Sequence, residues 1–491
     1  MRFQLSRRAL AAMMMAAMIL APVPPVLTFA QPIVVPTSAP TTARADGAAG
    51  EYLGTITYGT SLRLGLSLEG PDSKLKGKLN SIDQSAIIPI DSAKLVVKKL
   101  VLTLKGIGAS FEGTMSDDKQ TIAGTWTQNG VNLPLTFKRT MEMPTLHRPQ
   151  DPKRPYPYNE QEVVIDNRAA GVKLGGTLTL PKRTSTQPSH SLPAVLLITG
   201  SGAQDRDESL LGHRPFLIIA DHLTRAGIAV LRLDDRGVGK STGDFVKATE
   251  TDFVSDAKVA IDYLRHHPDI DPKRVGVLGH SEGGIIGPKL AADDPQIAFV
   301  VMVAGPGIPM DELLLQQSRE VAMVLGEDAA SIARNQDAVR ETFAILKQTS
   351  DPPDLEQKLR SINERELAAL PADQRQAFGG KDRIDAQIKM ITSPWFRELL
   401  RYDPAPTLAK LKCPVLAIGG EKDLQVAAKE NLAGIKRANP SIETHSMPGL
   451  NHLLQHCKTG SPAEYSTIEE TMSPEVLKMV GDWIKSHSNG H

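Results

Sequence analysis

The sequence predicts an α/β domain built on a mainly parallel sheet with helices on both faces. A helical insertion interrupts it, and a small antiparallel β domain precedes it. Three observations predict this. First, from about residue 162, apolar runs such as "AVLLIT", "IAVLRL", "RVGVLG", "FVVMVAG" and "PVLAIGG" alternate with amphipathic stretches such as "RPFLIIADHLTRAG" and "DFVSDAKVAIDYLRHH". Continuous Val/Ile/Leu strands alternating with helices require a parallel sheet covered on both sides. Second, between Pro309 and about Pro404 the strand runs stop and only helical spacing remains, as in "MDELLLQQSREVAMVLG" and "LEQKLRSINERELAAL". Such a stretch is too long for a plain loop, and a lid over a site is the reading it invites. Third, "SLRLGLSLEG", "KLVVKKLVLTLKG" and "LPLTFKRT" alternate apolar and polar residues at period two, separated by the turn signals "EGPDS", "SDDKQ" and "QNG". That is the pattern of half-buried antiparallel strands.

The elements follow in order. Residues 1–30 read as a signal peptide: Arg7 and Arg8 form a positive start, "ALAAMMMAAMILAPV" is a short apolar run, and cleavage after "TFA" fits. Export to the periplasm or medium is therefore expected, with no membrane span after cleavage. Residues 31–50, rich in Pro, Ala and Thr, read as a linker, and 51–140 as the antiparallel β domain, a curled sheet or partial barrel. The proline-dense stretch 141–160 is a second linker, because proline fixes φ and prevents both helix and central strand. Residues 161–491 form the α/β domain, with the insertion at about 309–404. The 491-residue chain carries 56 basic and 56 acidic residues, and aromatics make up only 4%. This balance gives no steering toward nucleic acid and no base-stacking platform. Cys413 and Cys457 are too few for a thiolate metal site. Cys413 begins a strand of roughly 23 Å, and the loop to Cys457 starts at its opposite end. Two free thiols are expected, since a disulfide needs Cα atoms within about 7 Å.

"LDDRGVGKSTGDF" looks at first like a phosphate-binding loop. The full pattern needs glycine where Asp234 stands, and Asp234 and Asp235 would set two carboxylates beside a bound anion. A nucleotide is not expected there.

The chemistry centres on Gly279-His280-Ser281-Glu282-Gly283, a G-x-S-x-G between a strand and a helix. A tight strand-to-helix turn lifts the serine hydroxyl above the sheet and needs small neighbours. The Glu282 N–H then stands at a helix N-terminus, where it can stabilise an oxyanion. The Glu282 side chain reads as a carboxylate favoured by the helix dipole, and His280 as a packed residue of the turn. A serine needs a base, and the base needs an orienting acid. Catalytic groups in such sheets gather at the carboxyl ends of strands. Past "PVLAIGG" stand Glu421 and Asp423, and past "IETHSMPG" stands His452, with His445 and His456 nearby. Ser281, Asp423 and His452 are the preferred set; Glu421, His445 and His456 are the rivals.

Taken together, "ITGSGAQDRDE", "ADHLTRAGIAVLRLDDRGVGKSTG", "GHSEGG", "GGEKD" and "GLNH" resemble the α/β-hydrolase superfamily, in particular exported bacterial esterases related to serine-aminopeptidase and prolyl-oligopeptidase-like hydrolases. The order Ser281, Asp423, His452 is that family's order. The resemblance implies cleavage of a carboxylic ester through an acyl-enzyme, with no metal or cofactor. Alternatives are a peptidase acting on short peptides or aminoacyl amides, and an envelope binding protein without catalysis. It places the second oxyanion donor at the backbone of Ser201 or Gly202. It also makes "DDRGVGKSTG" a structural turn, with Arg236 bonding backbone carbonyls and Asp235. Asp205, Arg206 and Asp207 either rim the pocket or clamp their loop with ion pairs.

Overall fold

The computed structural model describes residues 47–58, 60–84, 86–128, 131–182, 188, 190–348, 352–370 and 381–488. The expected signal peptide and nearly all of the first linker lie outside the described residues.

The first sheet has nine antiparallel strands: β1 (Gly50–Tyr58), β2 (Thr60–Glu69), β3 (Lys76–Ser81), β4 (Ala86–Pro89), β5 (Ser92–Val96), β6 (Lys99–Leu104), β7 (Ala109–Met115), β8 (Thr121–Gln128) and β9 (Val131–Arg139). Their order is β4-β3-β2-β1-β9-β8-β7-β6-β5, so the first and last strands are neighbours. The period-two pattern puts Leu64, Leu66, Leu68, Leu100, Leu102, Leu104, Phe111, Ile122 and Phe137 on one buried side. Phe111 meets Phe137 edge-on at 5.2 Å. The sheet curls around this core as a half-barrel.

Residues after β9, read from the sequence as a proline-rich linker, form a strap along the second domain. Arg148 donates from Nη1 to the Ile468 carbonyl and from Nη2 to that of Leu211, both at 2.9 Å. Gln150 donates to the Met472 carbonyl at 2.6 Å and accepts from the amides of Thr471 and Met472. Asp151 pairs with Arg214 at 2.6 Å. Proline removes local backbone partners, and these side chains make the contacts instead.

The second sheet has eight strands in the order β10-β11-β13-β12-β14-β15-β16-β17. They are β10 (Asn159–Asn167), β11 (Val172–Leu180), β12 (Leu192–Ile198), β13 (Ala229–Leu233), β14 (Ile270–His280), β15 (Val300–Val303), β16 (Val415–Gly420) and β17 (Glu443–Met447). β10 and β11 run antiparallel, and the strands from β13 to β17 run parallel. Every residue of β12, β15 and β16 is buried, which is why these strands read as unbroken apolar runs. Helices α1 (Pro215–Arg225) and α11 (Pro474–His487) cover one face through Phe216, Ile219, Leu223, Val480 and Ile484. Helices α2 (Glu250–Arg265), α3 (Gly283–Asp293) and α10 (Ala428–Ala438) cover the other through Ala260, Ile261, Ile286, Leu290 and Ile435.

Between β15 and β16 come α4 (Met310–Val324), α5 (Ala329–Leu346), α6 (Leu355–Ala369), α7 (Lys381–Ile391), α8 (Pro394–Arg401) and α9 (Ala405–Leu408). They have their own apolar centre, including Leu313, Phe343, Leu346, Leu359, Ile388 and Phe396. Ile285 of α3 belongs to it, so the insertion is seated on the helix that follows Ser281. Among the described residues no helix is long and apolar enough to cross a membrane.

Candidate active site

Ser281 stands between β14 and α3 with φ of +54°, in the left-handed region that L side chains rarely adopt. The glycines around it answer a steric demand. A Cβ on Gly279 would lie 1.9 Å from the Gly283 carbonyl oxygen, and one on Gly283 would lie 2.2 Å from that of Ile198. The chain is so tightly folded there that a side chain has no room, and the serine is pushed outward. It is half-buried, at the carboxyl end of the parallel strands.

His452 and Asp423 come from the loops after β17 and β16. Both are buried, and His452 Nδ1 lies 2.8 Å from Asp423 Oδ2. The other carboxylate oxygen of Asp423 accepts the amides of Gln425 and Val426, each at 2.8 Å. Each oxygen is thus occupied, and the carboxylate has one orientation. The rivals stand elsewhere: Glu421 is exposed, His445 on β17 pairs with Glu443 at 2.6 Å, and His456 at the surface pairs with Glu470 at 2.9 Å.

Hydrogen bonding joins His452 to Asp423 but, among the described residues, does not join Ser281 to His452. His280, the residue before Ser281, packs against His452. Its ring centroid is 4.9 Å from that of His452, and its Nε2 is 3.1 Å from the His452 carbonyl oxygen. Its Nδ1 is 2.8 Å from Oε1 of Glu208. Burial opposes charge on this ring, but the Glu208 carboxylate outweighs it and holds His280 above the usual histidine range. Glu208 was missed in the sequence, although it ends the acidic run "QDRDE".

The loop after β12 runs beside the serine, and a Cβ on Gly200 would come within 3.2 Å of the Ser281 Cβ. The Gly200 N–H is taken by Glu208 at 2.7 Å. Ser201 is exposed, and Gly202 has φ of +98°. A cavity of about 50 Å³ is lined by Gly200, Gly202, Asp235, Glu282, Phe253 and Ile286. The Glu282 amide is at the start of α3. Its side chain, however, is no exposed dipole partner. It is buried, and Trp395 of α8 donates to it from Nε1 at 2.7 Å. Burial pushes its carboxyl up to about 8, with Glu250 adding to the effect. Burial likewise pushes Asp235 up to about 8, against the bonds it accepts from Gln204 and Thr199.

Between the two sequence readings of the "DRD" loop, the structure favours the clamp. Arg206 bonds Asp234 and Glu162, and Asp207 pairs with Arg232. Arg236 does not bond Asp235. Its guanidinium is held by Asp256 and Asp252 of α2, partners that lie a helix away. Among the described residues no cluster of His, Cys, Asp and Glu suits a metal ion. Cys413 and Cys457 are free thiols, and burial pushes Cys413 up to about 11.

A sequence family described as serine aminopeptidase, S33, matches residues 215–456, a range that contains Ser281, Asp423 and His452. Esterase EstD of Thermotoga maritima is 27% identical over 379 residues, covering 76% of this chain and 79% of EstD. An uncharacterized protein of Mycobacterium tuberculosis is 30% identical over 166 residues, covering 32% of this chain and 53% of its own length. This chain therefore spans only about half the length of that relative. Among solved structures, an esterase of Pyrococcus furiosus aligns over 68% of this chain and 92% of its own, with 18% identity and a TM-score of 0.40.

Proposed function

We propose that this chain, a serine hydrolase, cleaves carboxylic esters through an acyl-enzyme on Ser281. The observation that carries the reading is the buried His452–Asp423 bond of 2.8 Å at the same end of the sheet as the strained Ser281 turn. Asp423 accepts the Nδ1 proton of His452, which leaves Nε2 as the basic nitrogen. His452 Nε2 takes the hydroxyl proton as Ser281 Oγ bonds the ester carbon. The Glu282 N–H and an amide of Ser201 or Gly202 stabilise the oxyanion. The carbon–oxygen bond of the leaving alcohol then breaks, and the alcohol departs with the proton from His452. Water, deprotonated by His452, attacks the acyl-enzyme. The acid is released, and Ser281 recovers its proton.

A second reading, hydrolysis of aminoacyl amides or short peptides, is favoured by one observation. The Glu282 carboxyl is buried, with Glu250 and Asp235 near enough to add to its rise, and a substrate ammonium would relieve that crowding. Export is part of the proposal, and N-terminal sequencing of the mature protein tests it. For the chemistry, a fluorophosphonate should label the wild-type chain and fail to label Ser281→Ala. Rates on p-nitrophenyl esters should exceed those on aminoacyl p-nitroanilides. Equal labelling of the serine variant would overturn the nucleophile, and the reverse rate order would favour the second reading.

A further inference from the structure

We propose that Glu208 and His280 form a buried carboxylate–imidazolium pair that positions His452 and keeps its ring uncharged. The inference rests on the proposed roles of Ser281, His452 and Asp423. It concerns two residues that touch no reacting atom in that mechanism, so they are positioning residues.

The proton count follows from what faces the His280 ring. Nε2 lies 3.1 Å from the backbone carbonyl of His452, which can only accept, so Nε2 carries a hydrogen. Nδ1 lies 2.8 Å from Glu208 Oε1. That oxygen also accepts the Gly200 amide at 2.7 Å, so it stands as the acceptor of both bonds. Nδ1 therefore carries a hydrogen as well, and an imidazole with both nitrogens protonated is a cation. The pair is sealed from water, with Glu208 and His280 each less than a tenth exposed. A buried charge is tolerated only beside its counter-charge, and here the two are in contact.

Three loops meet at this pair. Glu208 belongs to the loop after β12 and holds it by Gly200. His280 is the residue before Ser281. The carbonyl it grips belongs to His452 itself. The charged groups facing the two rings are Glu208 from the first loop and Asp423 from the loop after β16, and Glu208 in turn helps to raise Asp235 after β13. The His280 ring sits 4.9 Å from His452, with its planes tilted by 46°. A positive ring at that distance opposes a second positive charge on His452.

The test is the pH dependence of kcat/KM on p-nitrophenyl acetate for the wild type, Glu208→Gln and His280→Gln. Each carboxamide keeps hydrogen-bonding groups and removes the cation. The ascending limb should move toward higher pH in both variants, and further in His280→Gln, which removes the cation and leaves the Glu208 carboxylate in place. A fall in kcat with the limb unmoved, or a move toward lower pH, would overturn the proposal and leave a packing role. Should the variants not fold, nitrogen-15 spectra of the wild-type histidines decide. One of the twelve histidines should keep both ring protons well above the ordinary histidine value, at a pH where an isolated imidazole has lost one. If every histidine has lost one by then, the pair is not ionised. Fluorophosphonate labelling of Ser281 in the same preparation separates this outcome from a failure of the acyl-transfer reading, because the spectra report the pair whether or not the chain turns over substrate.

Discussion

Asp234 fills the hollow that a phosphate would occupy in a true nucleotide loop. Its Oδ2 accepts the Lys240 amide at 2.8 Å, and a Cβ on Gly239, where φ is +52°, would strike it at 2.5 Å. The glycine and the lysine amide of the turn thus wrap the protein's own carboxylate, with Arg206 as its cation, while the Ser241 hydroxyl donates to the Asp234 carbonyl. Arg206 keeps Glu162 as a partner, so Asp234→Ala should lose somewhat less in urea unfolding than the roughly 3–5 kcal/mol of a buried charge left uncompensated. Asp234→Asn keeps an acceptor for the Lys240 amide and should lose less; an equal loss would mean that the amide bond counts for little. Beside the serine, Asp423→Asn removes the acceptor that fixes the His452 tautomer. The corresponding change in a serine-protease triad lowers turnover about 10⁴-fold, and a fall of that order is expected in kcat here. Glu421→Gln, at the surface, should change kcat less than about threefold, the scale of a surface charge. The opposite ranking would assign the acid to Glu421.

Helix α8 connects the insertion to the nucleophile turn by one hydrogen bond, Trp395 to Glu282. The carboxyl it meets holds its proton up to about 8, because burial and Glu250 disfavour the charge. The sign follows from comparing the folded and unfolded chains. Between the ordinary glutamate value of 4.5 and about 8, only the folded chain keeps this proton. The stabilisation is therefore complete below the lower value and is lost as pH climbs through the upper one. The melting temperature of the wild type should drop relative to Glu282→Gln between pH 5 and 9, and a constant difference would mean that Glu282 does not take up this proton. The strands, the serine turn and the loops that bring Asp423 to His452 were legible in the sequence, because burial on both faces writes unbroken apolar runs and the turn demands glycines at set spacings. The partners of Glu208, Arg236 and Glu282 were not. A charged letter carries no record of what it faces, and Trp395 lies 113 positions from Glu282 along the chain. Asp235 and Glu282 also violate the rule that carboxylates stay exposed, so their burial could not be read from composition.

At the scale of the whole molecule, the half-barrel and the hydrolase domain are joined by a strap that belongs energetically to the second of them. A chain beginning at Leu146 should keep esterase activity on a small ester. One beginning at Tyr158 loses Arg148, Gln150 and Asp151 and should be less stable by about 3 kcal/mol, at roughly 1 kcal/mol for each of a few hydrogen bonds. Identical urea midpoints would mean that the strap is passive. The half-barrel has a different dependence on its ends. Each pairing within it joins strands adjacent in the chain, except that of β1 with β9, where Tyr52 meets Arg139, 87 positions later. Two meanders of hairpins can therefore form quickly on local contacts, and only the seam between them must wait for a long loop to close. Pulse-labelling hydrogen exchange during refolding should show the β1 and β9 amides protected last. On a chain that emerges N-terminus first, β1 stands with one edge bare until all the other strands of its sheet have been made. During that interval a neighbouring chain competes with β9 for the same row of hydrogen bonds.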